Sequence, residues 1–228
     1  MLAFNNRDMV IEAIHLFATQ NPGKTLRVYI LYYPTLSESD IQEIKCTCND
    51  YDFPWELKNN EGLIGNYNYV LKKCQHSYDY MFCVDPDERP TELGWAQAWE
   101  DVMDAHQKYF YVSLWNLNEC PQALKYRASG TFERGGHDVR EFRTLVSWAL
   151  GGFRIKAVLE VGGFSAHRYY GYFEHRMAEL CLPQGYTYGM MEEYAVRHLE
   201  SDPFYTKWKV EQAARRTDKT FEEWFRGN

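Results

Sequence analysis

Up to residue 85 the chain alternates short β-prone runs with stretches whose apolar residues recur at helical spacing. No other feature constrains the fold as much. Met1 to Phe4 is a short apolar run, followed by the polar turn "NNRD". From Asp8 to Gln20, Val10, Ile14 and Phe17 recur one turn apart, with Ile11 and Ala18 beside them, so the spacing predicts a helix. "NPGK" ends it, and "TLRVYILYY", β-branched and aromatic, reads as a buried strand. "PTLSESD" leads into a second helix, with Ser39 and Gln42 spaced as a capping box. A short extended piece, Tyr51 to Trp55, and the turn "NNEG" precede a stripe of Leu63, Tyr67, Val70, Leu71 and Cys74, then the strand "YMFCV". Strands and helices in strict alternation predict an α/β fold with a mainly parallel, Rossmann-like central sheet covered by helices.

The second half is less regular. Pro90 and Thr91 are expected to open a helix carrying Trp95, Trp99, Val102 and Met103, and "YFYVSLW" is strongly β-prone. Residues 118–140, with Pro121, Gly130, Gly135 and Gly136, read as a long loop, and a loop of that length is more often functional than idle. "VLEVGGF", a helix from about Glu174 to Leu182, a strand near Thr187 to Val196 and a charged amphipathic tail follow.

Composition removes several classes of function. A chain of 228 residues that is 45% apolar can bury one well-formed core, which points to a single domain. A net charge of −7 does not suit a general nucleic-acid binder. Of the six cysteines only Cys46 and Cys48 are near neighbours, with no second pair at zinc-ligand spacing. Reduced, mostly buried thiols in a cytoplasmic protein are the simplest reading. No apolar run is long enough to span a bilayer and no signal peptide opens the sequence, so the expectation is no integral membrane segment and at most peripheral membrane contact.

Chemistry concentrates in "YDYMFCVDPDERPT", residues 78–91. An apolar run delivers Asp85 and Asp87, with Pro86 fixing one backbone angle between them. At the carboxyl end of a parallel strand such a pair suits a hard divalent cation that also holds phosphates. A solvated turn is the plain alternative, since Asp and Pro are common turn residues. A third reading is a phosphatase of the haloacid dehalogenase class, whose first aspartate is a nucleophile. That motif continues with Thr or Val where this chain has Arg89, and it needs a later acidic pair after a glycine. No Gly-Asp dipeptide occurs in the chain.

Five further pieces, in order over roughly residues 1 to 200, resemble family 2-type glycosyltransferases of the GT-A fold. "AFNNRD" resembles the nucleotide-facing turn after the first strand. "NNEGLIGNYNYVLKKCQHSYDYMFCVDPD" resembles the N-x-G, helix and DxD segment. "EVGGF", "YGYFEHRMAELCLPQGY" and "YAVRH" resemble the blocks on the acceptor side and the late strand that ends in a histidine. The resemblance implies one GT-A catalytic domain over 1–228. Residues 1–92 would form the donor half, 93–200 the acceptor half with a smaller sheet, and 201–228 a helical tail. It implies a nucleotide-diphosphate sugar as co-substrate, a UDP-sugar first, and Mn²⁺ or Mg²⁺ held by Asp85, Asp87 and His198. Phe4, Asn5, Asn6 and Arg7 would face the nucleotide. So would Tyr33 and Thr35, where the family often has an acid and this chain has none before Glu38, and Asn60, Gly62 and Asn66. Trp148, Gly151, Gly152 and Phe153 fall where acceptor contacts are expected, and the loop at Gly135, Gly136 and His137 where a lid over the donor is expected.

The catalytic base departs from the family, which uses the aspartate of an E-D pair. Here the pair is Glu174-His175, so Glu174 is the first expectation and His175 the second. Glu179, one turn later, is expected to belong to the helix face. Arg140 and Arg143 suit either phosphates or surface ion pairs. The competing readings are a GT-A module that binds nucleotide sugars or glycans without catalysis, supported by His175, and a nucleotidyltransferase, which normally carries a glycine-rich turn that "AFNNRD" lacks. The acceptor (a glycan, a lipid-linked glycan, a protein or a hydroxylated nucleobase) stays open, as does assembly into a homo-oligomer.

Overall fold

The computed structural model describes residues 1–3, 6–33, 36–116, 128–142, 150–165 and 173–199, with residues 116 and 173–175 described by backbone alone. Strands β1 (Leu2–Ala3), β2 (Val28–Tyr32) and β3 (Trp55–Asn59) lie parallel in that order. They are linked through α1 (Arg7–Gln20) and α2 (Glu38–Asp50), and α3 (Gly62–Cys74) follows β3. Then come β4 (Tyr80–Cys83), β5 (Glu88–Pro90), α4 (Trp95–Ala105), β6 (Tyr109–Asn116), β7 (Ala128–Arg134), β8 (His137–Phe142) and β9 (Gly151–Arg154). The described chain closes with α5 (Ile155–Glu160), α6 (Phe173–Cys181), a short 3₁₀ turn (Leu182–Gln184) and β10 (Thr187–His198). These later strands form a second, mixed sheet in the order β4-β9-β6-β10-β8-β7, with β5 paired to β10.

The α/β class expected from the alternation is present, but the aspartate-bearing strand is not in the parallel sheet. β4 runs antiparallel to β9, with Tyr80 opposite Arg154 and Cys83 opposite Gly151. β9 is also antiparallel to β6, and β6 is parallel to β10. Hence β4, β6 and β10 point the same way, and their carboxyl ends share one edge.

Two glycines allow β9 to fit between its neighbours. A Cβ at Gly151 would lie 2.4 Å from the Val112 carbonyl oxygen; one at Gly152 would lie 2.7 Å from the Trp99 ring. Phe153 beside them is 1% exposed. The expectation that Gly151, Gly152 and Phe153 touch a sugar therefore fails: they build the core. Trp148 lies outside the described residues.

Side chains alternate across both sheets, and each face carries its own core. Ala3, Val28, Ile30, Val112 and Leu114 pack with α1, α2 and α4 on one face. Leu2, Tyr29, Leu31, Phe110 and Phe153 pack with α3, α5 and α6 on the other. Both sheets contribute to both cores, which gives a three-layer helix–sheet–helix arrangement. Trp95 and Trp99 are 1% and 2% exposed, and burying each large apolar side chain stabilises by about 1.5–3 kcal/mol.

Local signals account for several boundaries. Asn6 caps α1 by accepting from the Met9 N–H at 3.2 Å. The capping box of α2 is formed by Ser37 and Asp40, two residues before the expected pair, with Ser37 N–H donating to Asp40 at 2.8 Å. Pro90 sits in β5, and α4 opens later, after Gly94 at φ 73°. The expected long loop 118–140 contains the hairpin β7–β8 instead. Its two-residue turn uses Gly135 and Gly136 at φ 59° and 83°, as a tight hairpin requires. A Cβ at Gly135 would lie 2.4 Å from the Asp101 carbonyl oxygen on α4. That packing, with His137 accepting or donating at 2.9 Å to Glu193, makes the segment a fixed hairpin rather than a lid.

Candidate functional site

The site is built at the shared carboxyl edge of β4, β6 and β10. β4 leads through buried Val84 into Asp85, Pro86 and Asp87. The Glu88 N–H donates to the Asp85 carbonyl at 3.2 Å, closing a β-turn with proline at its second position. β5 then pairs antiparallel with the end of β10, placing Glu88 opposite His198. The Leu199 N–H donates to the Asp87 carbonyl at 2.8 Å. Residues more than a hundred positions apart thus meet: Asp87 Oδ2 is 3.3 Å from His198 Nε2.

Arg89, which sequence reasoning used only to argue against a phosphatase, holds this turn. Its guanidinium donates to the Pro86 carbonyl at 2.5 Å, to the Glu88 carbonyl at 3.1 Å and to Glu12 of α1 at 2.7 Å. The side chain is 12% exposed. Arg89 therefore fastens the aspartate turn to the helix that follows β1.

The Asp87–His198 pair fits a divalent cation. His198 Nδ1 lies 3.0 Å from the Leu199 carbonyl oxygen, an acceptor only, so that nitrogen carries a proton. The Leu199 carbonyl thus orients the ring so that Nε2 faces Asp87 Oδ2, where the two atoms can hydrogen-bond directly or share a cation between them. Neighbouring ligands about 2.1 Å from an octahedral ion stand roughly 3 Å apart, close to the separation here. Among the described residues no group of three His, Cys, Asp or Glu is gathered around one point. Asp85 therefore does not complete a ready-made cage. It helps to line a cleft between β1 and β4, together with Met1, Tyr29, Tyr67 and Cys83. Burial pushes the Cys83 thiol up, and the Asp85 charge adds to it.

The expected nucleotide-facing residues separate into groups. Phe4, Asn5 and Thr35 lie outside the described residues. Asn6 is engaged as the α1 cap. Arg7 pairs with Glu43, with Asp8 at 2.9 Å and with Asp40 at 3.9 Å, tying α1 to α2. Tyr33 directly follows β2, and its carbonyl accepts from the Leu36 N–H at 3.0 Å. Asn60, Gly62 and Asn66 do converge. Asn60 Oδ1 accepts from the Gly62 N–H and from Asn66 Nδ2, each at 3.0 Å, and Asn66 Oδ1 accepts from Lys58 at 2.6 Å. Gly62 takes φ 77°, a conformation that favours glycine, at the start of α3. Lys58, absent from the expectations, is 8% exposed, and burial lowers its pKa. The only sequence signal for it was a lysine at the end of a half-apolar strand.

On the acceptor side, Glu174 and His175 occupy the first turn of α6, and their side chains lie outside the described residues. Glu179 ion-pairs with Arg176 at 3.2 Å, as a surface helix residue. Arg140 pairs with Glu192 and covers the Trp115 ring at 5.0 Å, so it joins an ion pair within the sheet; Arg143 lies outside the described residues. "EVGGF" ends α5 with Gly162 and Gly163 at φ 87° and 90°. Asn68 of α3 then clasps Phe164, accepting from its N–H and donating to its carbonyl, both at 2.9 Å. Asn68 is 1% exposed and fixes where the chain leaves for α6. A polar residue within an apolar helical stripe was its only signal.

No known family matches the chain by sequence, and no curated protein does. Among solved structures the chain is similar to GalNAc-T7, crystallised with UDP, GalNAc and Mn²⁺, with a TM-score of 0.63 and 11% identity. The match covers 87% of this chain and 43% of that one, so the chain spans less than half of its neighbour. At that identity the likeness is one of fold, and the chain has a GT-A type fold.

Proposed function

We propose that the chain is a metal-dependent glycosyltransferase that moves a sugar from a nucleotide-diphosphate donor, a UDP-sugar first, to a hydroxyl acceptor. One observation carries this reading: Asp87 and His198 meet at 3.3 Å on the strand edge where a fold of this type opens. The neighbour's complex with UDP and Mn²⁺ supports the same donor chemistry. Asp87 and His198 would hold Mn²⁺ or Mg²⁺, with Asp85 acting directly, through water or through the ribose. The ion, when bound, neutralises charge on the departing nucleoside diphosphate. A small hard cation keeps open positions for substrate phosphates, so two protein ligands are enough to begin a site. Asn6, Arg7, Tyr33 and the Asn60–Gly62–Asn66 cluster would shape the nucleotide end, with Phe4 and Asn5 beside them. Glu174 would take the acceptor proton, with His175 as the alternative.

A catalytically silent nucleotide-sugar-binding module is the second reading, favoured by His175 standing where the family pattern has an acid. Hydrolysis of a panel of UDP- and GDP-sugars with Mn²⁺ separates the two. Turnover that disappears on chelation and in Asp87→Asn supports the transferase. No turnover of any donor, with nucleotide binding unchanged in Asp87→Asn, removes it. No helix among the described residues is long and apolar enough to cross a membrane.

A further inference from the structure

A second cavity lies at the opposite end of the same strands. Asp79 just before β4, Gln107 before β6, Tyr186 before β10 and Arg154 at the end of antiparallel β9 bound it. All four stand at the amino edge, whereas Asp85 and His198 stand at the carboxyl edge. Six residue steps along β4, at about 3.3 Å each, separate Asp79 from Asp85 by roughly 20 Å. The empty volume, partly open to solvent, is about 920 Å³.

The lining selects a class of ligand. Two carboxylates, Asp79 and Glu160, balance two cations, Arg154 and Lys156. Arg154 is already committed: it donates to the carbonyls of Met103, Tyr109 and His106 and to Gln107, at 2.6 to 3.2 Å. Lys156 stands 3.8 Å from Glu160. Lys156 is 79% exposed, so the cavity offers a phosphate one solvated surface cation and no buried one. What the cavity does offer is planar hydrogen-bonding groups beside an aromatic ring. The Tyr186 hydroxyl donates to Glu160 Oε2 at 2.5 Å and so orients that carboxylate. Tyr78 is 63% exposed, more than any other large aromatic side chain among the described residues. A ring that contributes so little to the core is available for stacking. A sugar ring presents one apolar C–H face and an edge of adjacent hydroxyls, which matches this pairing.

We propose that this cavity binds a neutral saccharide, stacked on Tyr78 and hydrogen-bonded through its hydroxyls to Glu160, Asp79 and Gln75. The site is independent of the donor edge, and its occupancy does not require transfer chemistry. The test titrates the whole chain, without metal or nucleotide, with maltopentaose, cellopentaose and chitopentaose, read by saturation-transfer NMR and calorimetry. At least one oligosaccharide is expected to bind. Tyr78→Ala should weaken it tenfold or more and Glu160→Gln severalfold, while Asp87→Asn leaves it unchanged. Tyr78 is exposed, so its removal should leave the melting curve and donor hydrolysis as they were. Failure of all three to bind overturns the proposal. So does binding that survives both cavity variants, or binding that is lost with Asp87→Asn. If saccharide binds but no nucleotide sugar is ever turned over, only the transferase reading falls.

Discussion

At the residue scale, the backbone brings Asp87 and His198 together, and the proposed chemistry rests on that pair. Asp87 is 16% exposed and His198 36%, so the pair is shielded enough for an ion between them to be held more firmly than on an open surface. Asp87→Asn is expected to lower metal-dependent donor turnover by on the order of a hundredfold or more, the scale of losing one preorganised electrostatic contact. His198→Ala is expected to raise the Mn²⁺ concentration needed for half activity by about tenfold, equal to about 1.4 kcal/mol of lost affinity. If the His198 variant keeps the wild-type metal requirement, His198 is not a ligand. Asn68 is a different kind of residue. Asn68→Ala leaves the Phe164 N–H and C=O buried without partners, each worth about 1–3 kcal/mol, so a loss of about 2 kcal/mol or more is expected in denaturant unfolding. Aspartates at a strand end are legible in a sequence, since few core strands finish on two charges. Asn68 showed only as a polar residue in an apolar helical stripe, because its partner lies 96 positions away.

At the scale of elements, the pairing of β5 with β10 is what brings the aspartate turn to His198. Arg89 links the turn to α1, so under the proposed function it would act through position rather than contact with substrate. Arg89→Ala should reduce donor turnover and raise the Mn²⁺ requirement together, while Arg89→Lys, unable to fork between the Pro86 carbonyl and Glu12, should recover only part. Unchanged metal dependence in Arg89→Ala would show that the turn holds itself. The β7–β8 hairpin gives a structural counterpart. Gly135→Ala places a Cβ 2.4 Å from the Asp101 carbonyl at φ 59°, and a loss of about 2 kcal/mol or more is expected by thermal or chemical denaturation. Helices α1, α2 and α3 were legible because amphipathic spacing is local. The hairpin was not: β7 reads "ASGTFER", largely exposed, and lacks the alternation that marks a half-buried strand. The capping box of α2 was displaced by two residues because Ser37 with Asp40 and Ser39 with Gln42 have the same spacing, and only the backbone selects between them.

For the whole molecule, a ligand that binds the folded chain must stabilise it. Mn²⁺ with UDP at a hundred times the dissociation constant is expected to add about 2.7 kcal/mol, seen as a rise in melting temperature that EDTA abolishes. Asp87→Asn should remove the rise, and an equal rise with Mg²⁺ alone would detach it from the nucleotide. The sequence by itself determined the α/β class and the order of the first helices and marked the aspartate turn, whereas His198 was suggested only by a resemblance between ordered blocks. The class, the helices and the turn depend on periodicity and residue type, which act over a few positions. Only the tertiary structure decided that β4 leaves the parallel sheet to pair with β9, that Gly151 and Gly152 serve packing rather than binding, and that Asp87 comes within 3.3 Å of His198. Strand partners distant in sequence are chosen by packing and hydrogen bonding across the sheet, and no local pattern encodes which partner will win.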